Sequence, residues 1–143
     1  MALIESNGFA HVRLTVRDIE RSKAFYDQVF GWPTAVDASE KAGQPGVEQS
    51  QEDFYGGVVY QTPQGTLFGL RPVGSDAFDS ERTGLDHVSF AVASRGDLEA
   101  AAEALSGAGI AHGDVTDLDD AGMAILSFQD PDDINVELTA PLG

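Results

Sequence analysis

Two stretches of the chain repeat one pattern, and each copy carries a histidine at the same place. The first reads Gly8-Phe9-Ala10-His11-Val12-Arg13-Leu14-Thr15-Val16, the second Gly84-Leu85-Asp86-His87-Val88-Ser89-Phe90-Ala91-Val92. A chain that repeats itself in this way builds one supersecondary unit twice. With only 3 histidines present, two on equivalent positions of a repeat point to a shared role. Near the end, Asp130-Pro131-Asp132-Asp133-Ile134-Asn135-Val136-Glu137-Leu138 adds a carboxylate in another strand-like run. Two imidazoles and a carboxylate, His11, His87 and Glu137, suit a divalent metal with positions left open.

The alternation within these runs says where the side chains point. Val12, Leu14 and Val16 share one face of a strand, and His11, Arg13 and Thr15 the other. Val88, Phe90 and Val92 oppose His87 and Ser89 in the same way. Ile134, Val136 and Leu138 oppose Asn135, Glu137 and Thr139. All three candidate ligands therefore face away from the apolar side.

Each copy continues in the same order. Asp18 is a good N-cap for a helix over Ile19–Phe30, with Ile19, Ser22, Tyr26, Val29 and Phe30 at helical spacing and Gly31-Trp32-Pro33 as the stop. The second helix runs over Asp97–Leu105, burying Leu98, Ala101, Ala102, Leu105 and Ala108, and stops at Gly107 and Gly109. Strands follow at about Thr34–Val36, Gly57–Gln61 and Thr66–Leu70 in the first copy. In the second they follow at about Ala111–Asp114, Met123–Phe128 and Ile134–Thr139. Each half thus reads β-α-β-β-β. Module one spans about 7–72, a Gly-, Ser-, Asp- and Pro-rich connection 73–83, and module two about 84–140. The polar segment Asp37–Asp53 is expected to form a mobile loop over one edge of the site.

Size and charge narrow the function. A chain of 143 residues, 42% hydrophobic, holds one packed domain or two small modules. Its apolar runs fall far short of the ~20 residues of a transmembrane helix, and no signal peptide is visible. The absence of cysteine removes disulfides and thiolate metal sites and fits a reducing cytoplasm. Asp and Glu number 24 against 8 Lys and Arg, a net charge of −16. Such a surface repels phosphates, so neither nucleic acid nor an anionic membrane is an expected partner.

In these motifs the chain resembles the vicinal oxygen chelate superfamily, the group of glyoxalases, bleomycin-resistance proteins and extradiol dioxygenases. The carriers are His11 through Asp18, Phe25-Tyr26, Phe30-Gly31, Leu85 through Val92, and Asp130-Pro131-Asp132 leading to Val136-Glu137-Leu138. The resemblance implies an α+β fold of two βαβββ modules, whose curved mixed sheets form a half-open barrel around a cleft. It implies one divalent metal ion (Fe, Mn, Zn, Ni or Co) held by His11, His87 and Glu137, and a homodimer. Aligning Pro63 through Leu70 on Pro131 through Leu138 puts Gly69 opposite Glu137, where glyoxalase I and methylmalonyl-CoA epimerase have a fourth ligand. Extradiol dioxygenases and fosfomycin-modifying transferases are three-ligand relatives. The former use a further pocket histidine and a tyrosine near the final glutamate, the latter a basic residue just after it. This chain has His112 as its one other histidine, and Leu138-Thr139-Ala140-Pro141-Leu142-Gly143 after Glu137.

The implied function is a glyoxalase- or dioxygenase-type metalloenzyme, a lyase, isomerase or oxygenase, whose small oxygenated substrate chelates the metal. The alternative is a metal-free, bleomycin-resistance-like protein that sequesters a ligand. Arg13, beside His11 on the ligand face, is a candidate clamp for an anionic substrate, and an ion pair is its plainer reading. Tyr60 is a candidate substrate contact among Trp32, Phe54, Tyr55 and Phe68, for which ordinary core is the plainer reading. Glu48 and Glu52 are the candidate bases. His112 reads as a loop or strand-edge residue.

Overall fold

Asp18 opens the first helix as its sequence requires. In the computed structural model, which describes residues 2–143, its carboxylate accepts from the Glu20 and Arg21 backbone N–H groups. These are donors that no helical carbonyl can reach. The helix α1 covers Ile19–Val29 and buries Ile19, Ser22 and Tyr26, with Val29 and Phe30 only half-buried. Gly31, at φ 62°, takes the left-handed turn that ends it.

Around α1 the first unit, reaching to Asp76, forms a four-stranded sheet in the order β1-β4-β3-β2. The strands are β1 (His11–Thr15), β2 (Thr34–Asp37), β3 (Val58–Gln61) and β4 (Leu67–Arg71). β1 runs parallel to β4, and the other pairings are antiparallel. The sheet is open, with β1 and β2 as its edges. Leu14, Val16, Tyr60, Phe68 and Leu70 are buried with Tyr26 on the helix side, while His11, Arg13 and Thr15 are exposed. The expected alternation holds.

The second unit, Ala77–Gly143, repeats the topology. Its strands are β5 (Val88–Ala91), β6 (Thr116–Leu118), β7 (Met123–Gln129) and β8 (Asn135–Pro141), in the order β5-β8-β7-β6. Again the first and last strands of the unit are parallel. Helix α2 covers Arg95–Gly107, two residues earlier than its periodicity predicts, because Ser94 and Asp97 form a reciprocal capping box. Leu98 and Leu105 are its buried residues, Ala101 and Ala102 are half-buried, and Ala108 is exposed.

One strand expectation is corrected. Ala111–Asp114 is not a strand. His112 makes one bridge to Phe128, the register slips by a residue, and pairing resumes at Thr116 with Ile125. The segment Asp37–Asp53, expected as a loop, begins with the last residue of β2 and carries short turns. These are 3-10 turns, Ser39–Lys41 and Val47–Gln49, followed by a third at Phe54–Gly56. Ala38 and Val47 are buried beneath it, and Lys41 Nζ lies 2.9 Å from Asp53 Oδ1. Apolar anchors and an ion pair hold a stretch whose polarity alone suggested a loop. No helix among the described residues is long and apolar enough to cross a membrane.

Candidate functional site

Ser89 pairs with Glu137 in the parallel β5–β8 ladder, which brings His87, just before β5, beside Glu137. His87 Nε2 lies 3.6 Å from Glu137 Oε1. On the other side of the ring, Nδ1 is 2.6 Å from Asp86 Oδ1. A carboxylate only accepts, so Nδ1 carries the proton and Nε2 is left as the ligating atom. A carboxylate behind a histidine is the usual way in which a metal-bound imidazole is oriented. Asn135 Nδ2 donates to the Asp86 carbonyl, 3.2 Å away, and steadies that residue. Two nitrogen or oxygen donors on one divalent ion sit about 3–3.5 Å apart. The His87–Glu137 spacing fits that, and Glu137 is mostly buried, with 16% of its side chain exposed. Thr139 Oγ1 donates to Glu137 Oε1 at 3.4 Å and also contacts Ser89 Oγ. The helix-averted face of β5 and β8 is therefore a continuous polar strip.

His11 belongs to the first unit. It is exposed at the start of β1, opposite Leu67. Ala10 stands where Asp86 stands in the repeat, so this histidine has no orienting carboxylate before it. Among the described residues, no group of three or more His, Asp or Glu side chains stands close enough to hold a metal ion. Within the second unit the structure brings together two of the sequence candidates, His87 and Glu137.

Gly69 is the structural counterpart of Glu137, as the alignment of the two copies puts it. Arg13 pairs with Gly69 as Ser89 pairs with Glu137, at the same step of the repeated ladder. A Cβ on Gly69 would lie 3.3 Å from both Cγ and Nε of Arg13. The arginine side chain itself crosses the space that a side chain at position 69 would fill. Its guanidinium carbon reaches 5.6 Å from the centre of the Tyr55 ring, and that of Arg71 lies 3.7 Å from the same ring. Phe54 and Tyr55 both hold left-handed backbone, φ 47° and 59°. Such conformations cost about 1–3 kcal/mol each for a non-glycine residue and cluster at functional places.

Tyr60 is corrected. It is fully buried on the helix side, where its hydroxyl donates to Asp27 Oδ1 at 2.9 Å. Burial, then the Asp27 bond and charge, push its pKa far up, so it stays a neutral phenol tying β3 to α1. It is a core residue because its partner across the sheet, Phe68, faces the helix as well. Glu48 and Glu52 are exposed on the 3-10 segment. His112 bridges the end of α2 to the sheet edge, Nδ1 donating to the Gly113 carbonyl at 2.7 Å and Nε2 2.6 Å from Ser106 Oγ. Sequence reading missed Asp86 and Arg71, and gave Tyr55 only as one of several aromatics for which ordinary core was the plainer reading. For Arg71 a signal existed: the alternation of Leu67 and Gly69 extends to it, one residue past the expected end of the strand at Leu70.

The Glyoxalase/Bleomycin resistance protein/Dioxygenase superfamily model matches residues 8–138. The chain belongs to this superfamily. A solved glyoxylase/bleomycin resistance protein/dioxygenase domain from Frankia sp. EAN1pec is 31% identical over 96% of this chain and 93% of its own, with a TM-score of 0.74. More distant structures share the fold. A mutant of the fosfomycin resistance protein FosX from Listeria monocytogenes, complexed with Mn(II) and 1S,2S-dihydroxypropylphosphonic acid, is 15% identical. It has a TM-score of 0.71 over 96% of this chain and 94% of that one. Lactoylglutathione lyase from Agrobacterium tumefaciens is 16% identical with a TM-score of 0.67, over 94% of each chain. No curated protein is similar enough in sequence to match.

Proposed function

We propose that this protein is a divalent-metal-dependent enzyme of the glyoxalase and dioxygenase type, acting on a small oxygenated substrate, with His11, His87 and Glu137 as the metal's ligands. The observation that carries the reading is the His87–Glu137 pair, 3.6 Å apart, with Asp86 behind the imidazole. When bound, the ion would supply Lewis-acid stabilisation to substrate oxygens on its open positions. The chain's own residues orient and charge the site. Asp86 fixes the His87 ring, Thr139 donates to Glu137, and Arg13 offers a cation where a fourth ligand would add an anion. Superfamily membership supports the metal reading, as does FosX, a relative crystallised with Mn(II). Elemental analysis of the purified protein tests it. Near-stoichiometric metal is expected, and each of His11→Ala, His87→Ala and Glu137→Ala should reduce it, with His112→Gln as the folded control. Full occupancy in His87→Ala would remove the ligand set.

A metal-free ligand-binding protein is the second reading. It is supported by membership of a superfamily that includes bleomycin resistance proteins. A metal-poor protein that retains ligand affinity would support it. We further propose a homodimer. Leu3, Ile4 and Phe9 are almost fully exposed before β1, an apolar segment that a second copy would cover. A monomeric mass by light scattering across a concentration series would argue against it.

A further inference from the structure

The chain is short of cations, and most of the 8 have partners. Lys23 reaches Asp37 and Asp27, Lys41 reaches Asp53, and Arg95 reaches Asp117 and Glu99. Arg17, Arg21 and Arg82 make contacts of their own. Arg13 and Arg71 are different. In a protein with 24 acidic residues, neither has an ion pair or a side-chain hydrogen bond among the described residues, and their shared neighbour is the Tyr55 ring. The Arg71 Nε–H is buried with no acceptor at all. A guanidinium N–H out of water without an acceptor is costly, and a fold that keeps one leaves a donor for something else.

The register puts both side chains on one surface. Arg13 lies opposite Gly69 and Thr15 opposite Arg71, so Arg13, Gly69 and Arg71 share the face averted from α1. Gly69 leaves the room that Arg13 crosses. Tyr55 presents its ring to both guanidinium groups from a left-handed backbone, just before Gly56 and Gly57. Two like charges held together without a counter-charge make a site for an anion, and guanidinium forks match planar or tetrahedral oxyanions.

We propose that Arg13 and Arg71, with Tyr55 between them in contact, form a binding site for an oxyanion group of the substrate, a carboxylate or a phosphate-type group. The inference rests on the reading of Arg13 as substrate-facing and narrows the substrate to an anionic one. Its place within a single unit allows a test without the metal. Protein stripped by a chelator would be titrated calorimetrically with inorganic phosphate, methylphosphonate and acetate at matched ionic strength, with chloride as the blank. At least one oxyanion should bind saturably, and which one separates the carboxylate from the phosphate-type source. Arg13→Gln and Arg71→Gln should each weaken that binding about tenfold or more, and Arg82→Gln should leave it unchanged. Should Arg71→Gln fail to fold, Arg71→Lys keeps the charge without the fork and should bind several-fold more weakly at an unchanged melting temperature. No saturable binding to the parent protein, or equal binding by the arginine variants, overturns the proposal. Because the protein is metal-free throughout, neither result depends on whether the metal reading stands.

Discussion

Gly69 and Arg13 face each other across the parallel β1–β4 pair, and a methyl group on Gly69 would come within 3.3 Å of the arginine's Cγ and Nε. The glycine leaves that space to the arginine. At the equivalent step of the second unit a carboxylate faces Ser89, and here a cation lies over bare backbone. The two units thus carry opposite charge at the same step of the repeated ladder.

Gly69→Glu should remove that difference. Gly69 is not in left-handed backbone, and the nearest atoms are those of a flexible side chain, so the fold should survive. The new carboxylate should pair with Arg13 and cancel its charge for any incoming anion. Oxyanion affinity measured by calorimetry should fall at least as far as in Arg13→Gln, while Gly69→Ala should lower it less. An unchanged affinity in Gly69→Glu would mean that Arg13 does not face the ligand.

Asp86 gives a second test, on the other unit. It holds the His87 Nδ1 proton at 2.6 Å, whereas Ala10 leaves His11 without such support. Asp86→Ala should lower metal affinity about 10–100-fold without abolishing stoichiometric loading at saturating metal. Affinity equal to that of the parent, measured by competition with a chromophoric chelator, would show that the carboxylate does not orient a ligand.

Much of this was legible in the residues. The repeat and its alternation placed His11, Arg13, His87 and Glu137 on the helix-averted faces, because strand parity is a local property. The alignment of Gly69 with Glu137 held because both units carry the same parallel ladder. Tyr60 was misplaced because an aromatic ring reads alike on either face, and only the Asp27 bond and the packing against Phe68 decide between them. Tyr55 could not be told from core because its orientation depends on left-handed backbone at two successive non-glycine residues. Arg71 escaped because the strand runs one residue past the last apolar position.

Gly57 predicts a large stability effect. A Cβ there would lie 2.0 Å from the Leu70 carbonyl oxygen and 3.0 Å from that of Phe54. Both are backbone atoms of β4 and of the 3-10 turn that carries Tyr55, so no side chain can yield. Gly57→Ala should destabilise the protein by about 3 kcal/mol or more, at the upper end of overpacking costs. Urea unfolding measures this directly, and a loss within about 0.5 kcal/mol would contradict the close approach of the two segments.

The last prediction concerns pH and the Lys23–Asp37 pair, which ties α1 to the edge strand β2. Burial acts to raise the Asp37 pKa. Hydrogen bonds from the Ser39 side chain and backbone, together with Lys23 Nζ at 3.3 Å, outweigh it and leave the carboxyl below its ordinary value of 3.8. Lys23 is raised above 10.5, first by its bond to Asp37 and then by that carboxylate's charge. A depressed acid stabilises the fold above its unfolded pKa and loses that contribution as pH falls through the lower folded value. A raised base stabilises below its unfolded pKa and loses that contribution as pH rises through the higher folded value. The pair should therefore contribute a constant amount between these limits and fade at both ends. Both side chains are about one-third exposed, so solvent screening holds the amount to about 1 kcal/mol or less. Unfolding free energies of the parent minus those of Asp37→Asn, taken across the pH range, isolate the pair from the general repulsion of an acidic chain. That difference should be flat at neutral pH and shrink below about pH 4. A difference that persists undiminished into strong acid would show that Asp37 gains nothing from its charge in the fold.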